Sequence, residues 1–132
     1  MHYAFYRDDD SLWYNIISYM LSKKYRFHSR GGVRFTYQKG KTIRTPKMSL
    51  VHNENSRGHQ RFAVVISKKV IKSAVGRNRV RRRVYEAIRM NLPYFKDNKD
   101  CIFVIYSKDV KEMEFDSLLK IIRDLLTQSQ TQ

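Results

Sequence analysis

The chain has 132 residues, a net charge of +15 and 42% apolar residues, which predicts one domain with a modest core and a polyanionic partner. A single cysteine, Cys101, excludes an intramolecular disulfide framework and, lying in the apolar run CIFVIY, reads as a core residue. No run approaches the ~20 apolar residues of a membrane span. The opening MHYAFYRDDD also lacks the basic and apolar regions of a signal peptide, so the cytoplasm is the default location.

The charge is concentrated in the middle of the chain. Leu21–Leu92 carries 20 basic residues against two acids, Glu54 and Glu86. Residues 1–20 are acidic and aromatic, and Asp10 or Ser11 could cap a short helix through Leu12, Ile16, Ile17 and Met20. Met20 is an alternative start, which makes residues 1–20 an extension to a domain spanning 21–127. Residues 128–132 are expected to be a disordered tail.

A basic, aromatic segment follows at Lys23–Tyr37. It is expected to be partly helical, with Gly31 and Gly32 opposing the helix and Gly40 ending it. Met48–His52 and Arg61–Ile66 read as strands separated by a polar loop. Ser73–Asn91 reads as a helix, with Pro93 just beyond its end. Cys101–Tyr106 reads as a central strand, and the spacing of Phe115, Leu118, Leu119, Ile122, Leu125 and Leu126 predicts a last helix with Asp116 near its start. The expected fold is α+β, a two-layer sandwich with helices packed on one sheet. Arg61–Ile66, the helix and Cys101–Tyr106 have the length of a parallel crossover.

The helix at 73–91 is the most informative element. Val80, Val84, Ala87 and Ile88 recur at core-facing spacing. At about 100° per residue, Asn78, Arg82, Tyr85 and Arg89 point the opposite way, with Arg79 and Arg81 on the flanks. An apolar stripe on so cationic a segment implies a folded surface rather than a tail. A merely solvated, solubilising face is the alternative.

Arginine pairs bidentately with phosphate and stacks on bases, so the cluster Arg77, Arg79, Arg81, Arg82 and Arg83 around Asn78 suits a structured phosphate surface. Asn78 either hydrogen-bonds bases or caps the helix. Arg82 and Arg89 have no obvious acidic partner, whereas Arg83 lies near the apolar edge, where it could snorkel over the core. Lys68, Lys69 and Lys72 precede the helix, where they extend the same surface. Tyr25, Phe27, Phe35 and Tyr37 stand among lysines and arginines. They read equally as base-stacking rings or as a core stripe.

Catalytic machinery is thin. The four histidines show no metal-ligand spacing, and neither a GxxxxGK[ST] loop nor a GxSxG elbow occurs. His52, on a strand, reads as a surface or satisfied histidine. The sequence describes a binding protein.

The segment SKKVIKSAVGRNRVRRRVYEAIR, Ser67–Arg89, resembles the signature of the bacterial ribonuclease P protein subunit: Ser-Lys-Lys, a spacer ending in Ala-Val, then Arg-Asn-Arg and further basics. A broader resemblance covers Leu21–Leu126. It implies a left-handed crossover between parallel strands, where the general rule gives a right-handed one. It also implies an accessory subunit of an endoribonuclease that removes the 5′ leader of precursor tRNA. Catalysis and Mg²⁺ then belong mainly to an RNA subunit, and the protein alone binds no cofactor.

The partners implied are the catalytic RNA and precursor tRNA, with no membrane and no DNA. Carried over by position, Lys68, Lys69, Arg77, Asn78, Arg79, Arg81 and Arg82 face RNA, and Lys72 and Arg89 join them by their place on the surface. The leader cleft falls on Val33, Tyr37 and Val51, with Phe35 as a substitute ring. Tyr85 stands where the family has Arg. A structural RNA-binding protein, ribosomal or an assembly factor, is the alternative function.

Overall fold

Strand alternation organises the molecule. The computed structural model describes residues 25–27, 30–95 and 98–132, so the readings made on residues 1–24, among them the short helix capped by Asp10 or Ser11, lie outside the described residues. Helix α1 is Arg30–Lys39, followed by β1 Lys41–Arg44, β2 Met48–Glu54 and β3 Arg61–Ile66. Helix α2 is Ala74–Asn91, β4 is Lys99–Ile105 and α3 is Phe115–Ser129, with short 3-10 turns at Leu92–Tyr94 and Lys108–Lys111.

The four strands form one mixed sheet in the order β1-β2-β4-β3. β4 pairs antiparallel with β2 and parallel with β3. The parallel connection from β3 to β4 runs through α2, as its length suggested.

Register fixes two faces, because successive side chains point opposite ways. Leu50 lies opposite Phe103, and Val64 opposite the same Phe103. With Met48, Phe62, Ile66 and Ile105 they make the main core, closed by Val80, Val84, Ala87 and Ile88 of α2 and Leu118, Ile122 and Leu125 of α3. Phe62 and Phe103 stack with ring centres 6.5 Å apart. Each such fully buried side chain contributes about 1.5–3 kcal/mol from removal of apolar surface from water. Cys101 is buried among them, as expected. The other face carries a smaller cluster of Phe27, Val51, Ala63 and Ile102, against which Val33 packs.

Several elements depart from the sequence reading. β1 was not anticipated, because only Ile43 of its four residues is buried and the strand has no apolar alternation to display. α1 contains Gly31 and Gly32 in its first turn, where the glycine cost is smallest because those N–H groups have no intrahelical acceptor. Gly40 does end α1. A Cβ there would lie 2.5 Å from the Thr36 carbonyl oxygen and 2.7 Å from that of His52, so the helix end meets β2 backbone to backbone.

α3 runs to Ser129, Lys99 Nζ donates to the Ser129 carbonyl at 2.5 Å, and Gln132 Oε1 lies 2.8 Å from Nε2 of the buried His52.

Tyr85 is the largest correction. Expected to point outward, it is buried in the main core. It lies only about 60° round the helix from Ile88. Arg26 bridges to Phe62 along the free edge of β3 and widens the sheet there. Tyr85 bonds the Val64 backbone near Arg26, and burial raises its phenol above the ordinary value. Proximity to Ile88, not the average outward direction, decided its side.

Candidate nucleic-acid interface

The basic surface is built on the loop between β3 and α2. Val70 and Ile71 N–H groups both donate to the Ser67 carbonyl, at 3.1 and 3.2 Å, which folds the loop and leaves Lys68 and Lys69 exposed at its tip. Ser73 then caps α2, its hydroxyl accepting from Gly76 N–H at 2.9 Å. The cap is Ser73, so Asn78 is not one. At Gly76 a Cβ would sit 2.7 Å from Ile71 Cγ2 and 2.8 Å from Ser73 Oγ; the loop packs directly on the helix there.

Arg77 secures this junction. Its Nη1 donates to the carbonyl oxygens of Ile71 and Lys72 at 2.9 and 2.8 Å. It therefore shapes the loop that displays exposed Lys72. Asn78 Oδ1 accepts from Arg81 Nη1 at 3.1 Å, which joins the two polar side chains. Arg79 is half exposed and 3.8 Å from exposed Glu112, a contact worth at most about 1 kcal/mol in water. Arg81 and Arg82 are half-buried, and Nε of Arg82 is fully covered. Lys68, Lys69 and Lys72 lie on the loop that leads into α2, and Asn78, Arg79, Arg81 and Arg82 lie on its first half.

Arg89 differs. It lies about 16 Å along the helix from Asn78. Contrary to the reading that it lacks an acidic partner, its guanidinium is 2.5 Å from Oε1 of Glu86, which is 1% exposed. The pair was missed because its spacing of three residues is local but Glu86 was counted only as an isolated acid. Arg83, kept out of the RNA-facing set, donates to the carbonyls of Val110, at 2.8 Å, Lys111, at 2.7 Å, and Met113. It ties α2 to the turn before α3.

The proposed cleft residues separate. Val33 and Val51 meet in the cluster between α1 and the sheet. Tyr37 lies one turn from Val33 on the same side of α1 and is 42% exposed. Phe35 is about 200° round the helix from Val33 and 54% exposed, so it projects away from the space between α1 and the sheet. A substitute ring cannot come from there. Phe27 is the ring at the covered end, with the Arg61 guanidinium 4.6 Å from its centre. Arg61 is held bidentately by Asp100, at 2.8 and 2.7 Å, and that bond raises its pKa.

Arg44 and Tyr106, neither of them a sequence candidate, are both exposed at the opposite end of this face. Continuing the alternation from Ile102 and Val104 would have placed Tyr106 there. Among the described residues, no group of three or more His, Cys, Asp or Glu converges as a metal site, and no helix is long and apolar enough to cross a membrane.

The ribonuclease P family model matches residues 21–130. The ribonuclease P protein component of Chloroflexus aurantiacus is 34% identical, over 83% of this chain and 80% of its own length. That of Aliivibrio fischeri is 29% identical, over 83% of this chain and 92% of its own length. Among solved structures, a mutant of the Staphylococcus aureus RNase P protein superposes with a TM-score of 0.73 at 22% identity, covering 88% of this chain and 96% of that one. The Thermotoga maritima RNase P protein gives 0.70 at 20% identity, covering 78% and 96%. The chain belongs to the bacterial ribonuclease P protein family, the protein component of the ribonucleoprotein endonuclease that processes tRNA 5′ ends.

Proposed function

We propose that the loop and first half of α2 dock on the catalytic RNA, and that the space between α1 and the sheet receives the single-stranded 5′ leader of precursor tRNA. The supporting observation is the run of exposed or half-exposed Lys68, Lys69, Lys72, Asn78, Arg79, Arg81 and Arg82 along the loop and the first half of α2, while Arg77 and Arg83 are bonded to backbone carbonyls. Arginine forks on a rigid helix match phosphate oxygens without having to be ordered on binding. Arg77 acts by fixing the loop, and Arg89 adds an outer contact while paired to Glu86.

In this reading the protein offsets phosphate repulsion between two RNAs and holds the leader. The Mg²⁺ and the bond-breaking chemistry reside in the RNA subunit, and no protein side chain takes a proton in the reaction. Val33 and Tyr37 border the leader cleft, with Val51 buried in its floor and the ring of Tyr37 available for stacking. The crossover through α2 is left-handed, the protein works in the cytoplasm, and neither DNA nor a membrane is a partner.

Fluorescence anisotropy with the cognate catalytic RNA tests the docking surface. Saturable, salt-sensitive binding that is lost when Arg79, Arg81 and Arg82 are all replaced by Ala is the expected result. Equal binding by that folded triple variant overturns it.

A further inference from the structure

The sheet face beneath α1 is covered at one end only. Phe27 and Val33 bury Val51, Ala63 and Ile102 there. Toward the other end, Val65 and Val104 remain partly exposed. Tyr106 follows Val104 at the same alternation, on the same face, and keeps 40% of its surface in solvent.

This ring is fixed. The single O–H of Tyr106 is shared between the carbonyls of Thr45 and, at 2.9 Å, Met48, and its oxygen accepts from Ser49 Oγ at 3.3 Å. Its N–H donates to the Lys47 carbonyl at 3.2 Å. An aromatic side chain anchored at its polar tip and exposed on its flank presents a flat apolar surface without further ordering cost.

Charge flanks the ring on both sides. The strand order places Arg44 of β1, whose register partner is Ser49, to one side. To the other side β3 ends at Ile66, opposite Ile105, and leads directly to exposed Lys68 and Lys69. A fixed ring between cations, on a partly apolar floor, suits a single-stranded polynucleotide. Bases stack on the ring, and the backbone follows the cations. An acidic protein segment would use the cations but not the ring's flat face.

We infer that Tyr106 is a specificity-determining residue for precursor tRNA, a stacking platform for a leader base beyond the α1 cleft, with Arg44 receiving a flanking phosphate. Tyr106 lies about 13 Å along β4 from Ile102, the register partner of Val51, so the ring engages a base other than the one near Tyr37. Since every base has a stacking face, the contact reads the presence and length of a leader more than its sequence.

The inference rests on the leader-binding reading, and the experiment separates the two. The ribonucleoprotein, assembled from the full chain and its cognate RNA, is titrated with leader-bearing and leaderless tRNA for wild type, Tyr106→Ala and Tyr106→Phe. A 2-aminopurine placed at successive leader positions reports stacking. Tyr106→Ala should lower the ratio of leader-bearing to leaderless affinity by about 5- to 150-fold. Quenching should vanish at one leader position and return in Tyr106→Phe. An unchanged ratio in Tyr106→Ala, with wild type still preferring the leader, overturns the role of Tyr106 alone. Equal weakening for both RNAs makes the residue merely structural and overturns it too. Absence of leader preference in wild type removes the leader-binding reading and this inference together.

Discussion

Arg89 lies on Glu86, with Nη2 2.5 Å from Oε1, and Glu86 is 1% exposed while Arg89 keeps nearly half of its side chain in solvent. One arginine of the cationic helix is therefore a counter-ion to a buried carboxylate. Arg89→Ala removes this pairing from a buried carboxylate and should destabilise the protein by about 1–3 kcal/mol. Thermal unfolding of the protein alone checks this, and an unchanged Tm contradicts it.

Arg82 is one of the arginines proposed to meet the catalytic RNA. Arg82→Ala should weaken binding to the catalytic RNA and reduce the slope of log affinity against log salt by about 0.9 for each phosphate that is no longer neutralised. The measurement is a salt titration of affinity. An unchanged slope places Arg82 away from RNA phosphate.

Tyr85 is held neutral by burial, and its sign follows from proton counting. Above the ordinary tyrosine value near 10, the unfolded chain ionises first and binds fewer protons, so stability falls as pH rises through that range. Tyr37, also raised by burial, adds to the same limb. Denaturant midpoints from pH 8 to 11 should decline, and less steeply in Tyr85→Phe. Identical slopes would assign the decline to other groups.

Two glycines should answer alanine in opposite ways. At Gly31 an added Cβ meets nothing within 4 Å, so Gly31→Ala should stabilise α1, by roughly 0.4 kcal/mol at this first-turn position. At Gly40 the same methyl is driven into the Thr36 and His52 carbonyls, and Gly40→Ala should destabilise. Paired urea midpoints decide it, and equal shifts would contradict the packing of α1 on β2.

Much of this was legible in the sequence because the signals were periodic. Val80, Val84, Ala87 and Ile88 announced the buried side of α2, and the run from Cys101 announced the inner strand. β1 stayed hidden, since a four-residue edge strand with one buried side chain has no period to detect. Tyr85 was misplaced because its environment is made by Arg26, 59 residues earlier, bridging to the edge of β3. The site divided likewise. The basic residues of α2 are local in sequence, so their cluster can be read there directly. The anchored ring of Tyr106 depends on carbonyls at Thr45 and Met48, which only the register of β2 with β4 brings near.

Cleavage of precursor tRNA by the cognate catalytic RNA, measured across a Mg²⁺ series with and without this protein, tests the central claim most directly. The account predicts that the protein lowers the Mg²⁺ needed for half-maximal 5′ cleavage, and that the Arg79, Arg81 and Arg82 triple alanine variant does not. The same Mg²⁺ dependence with and without the folded protein would contradict it.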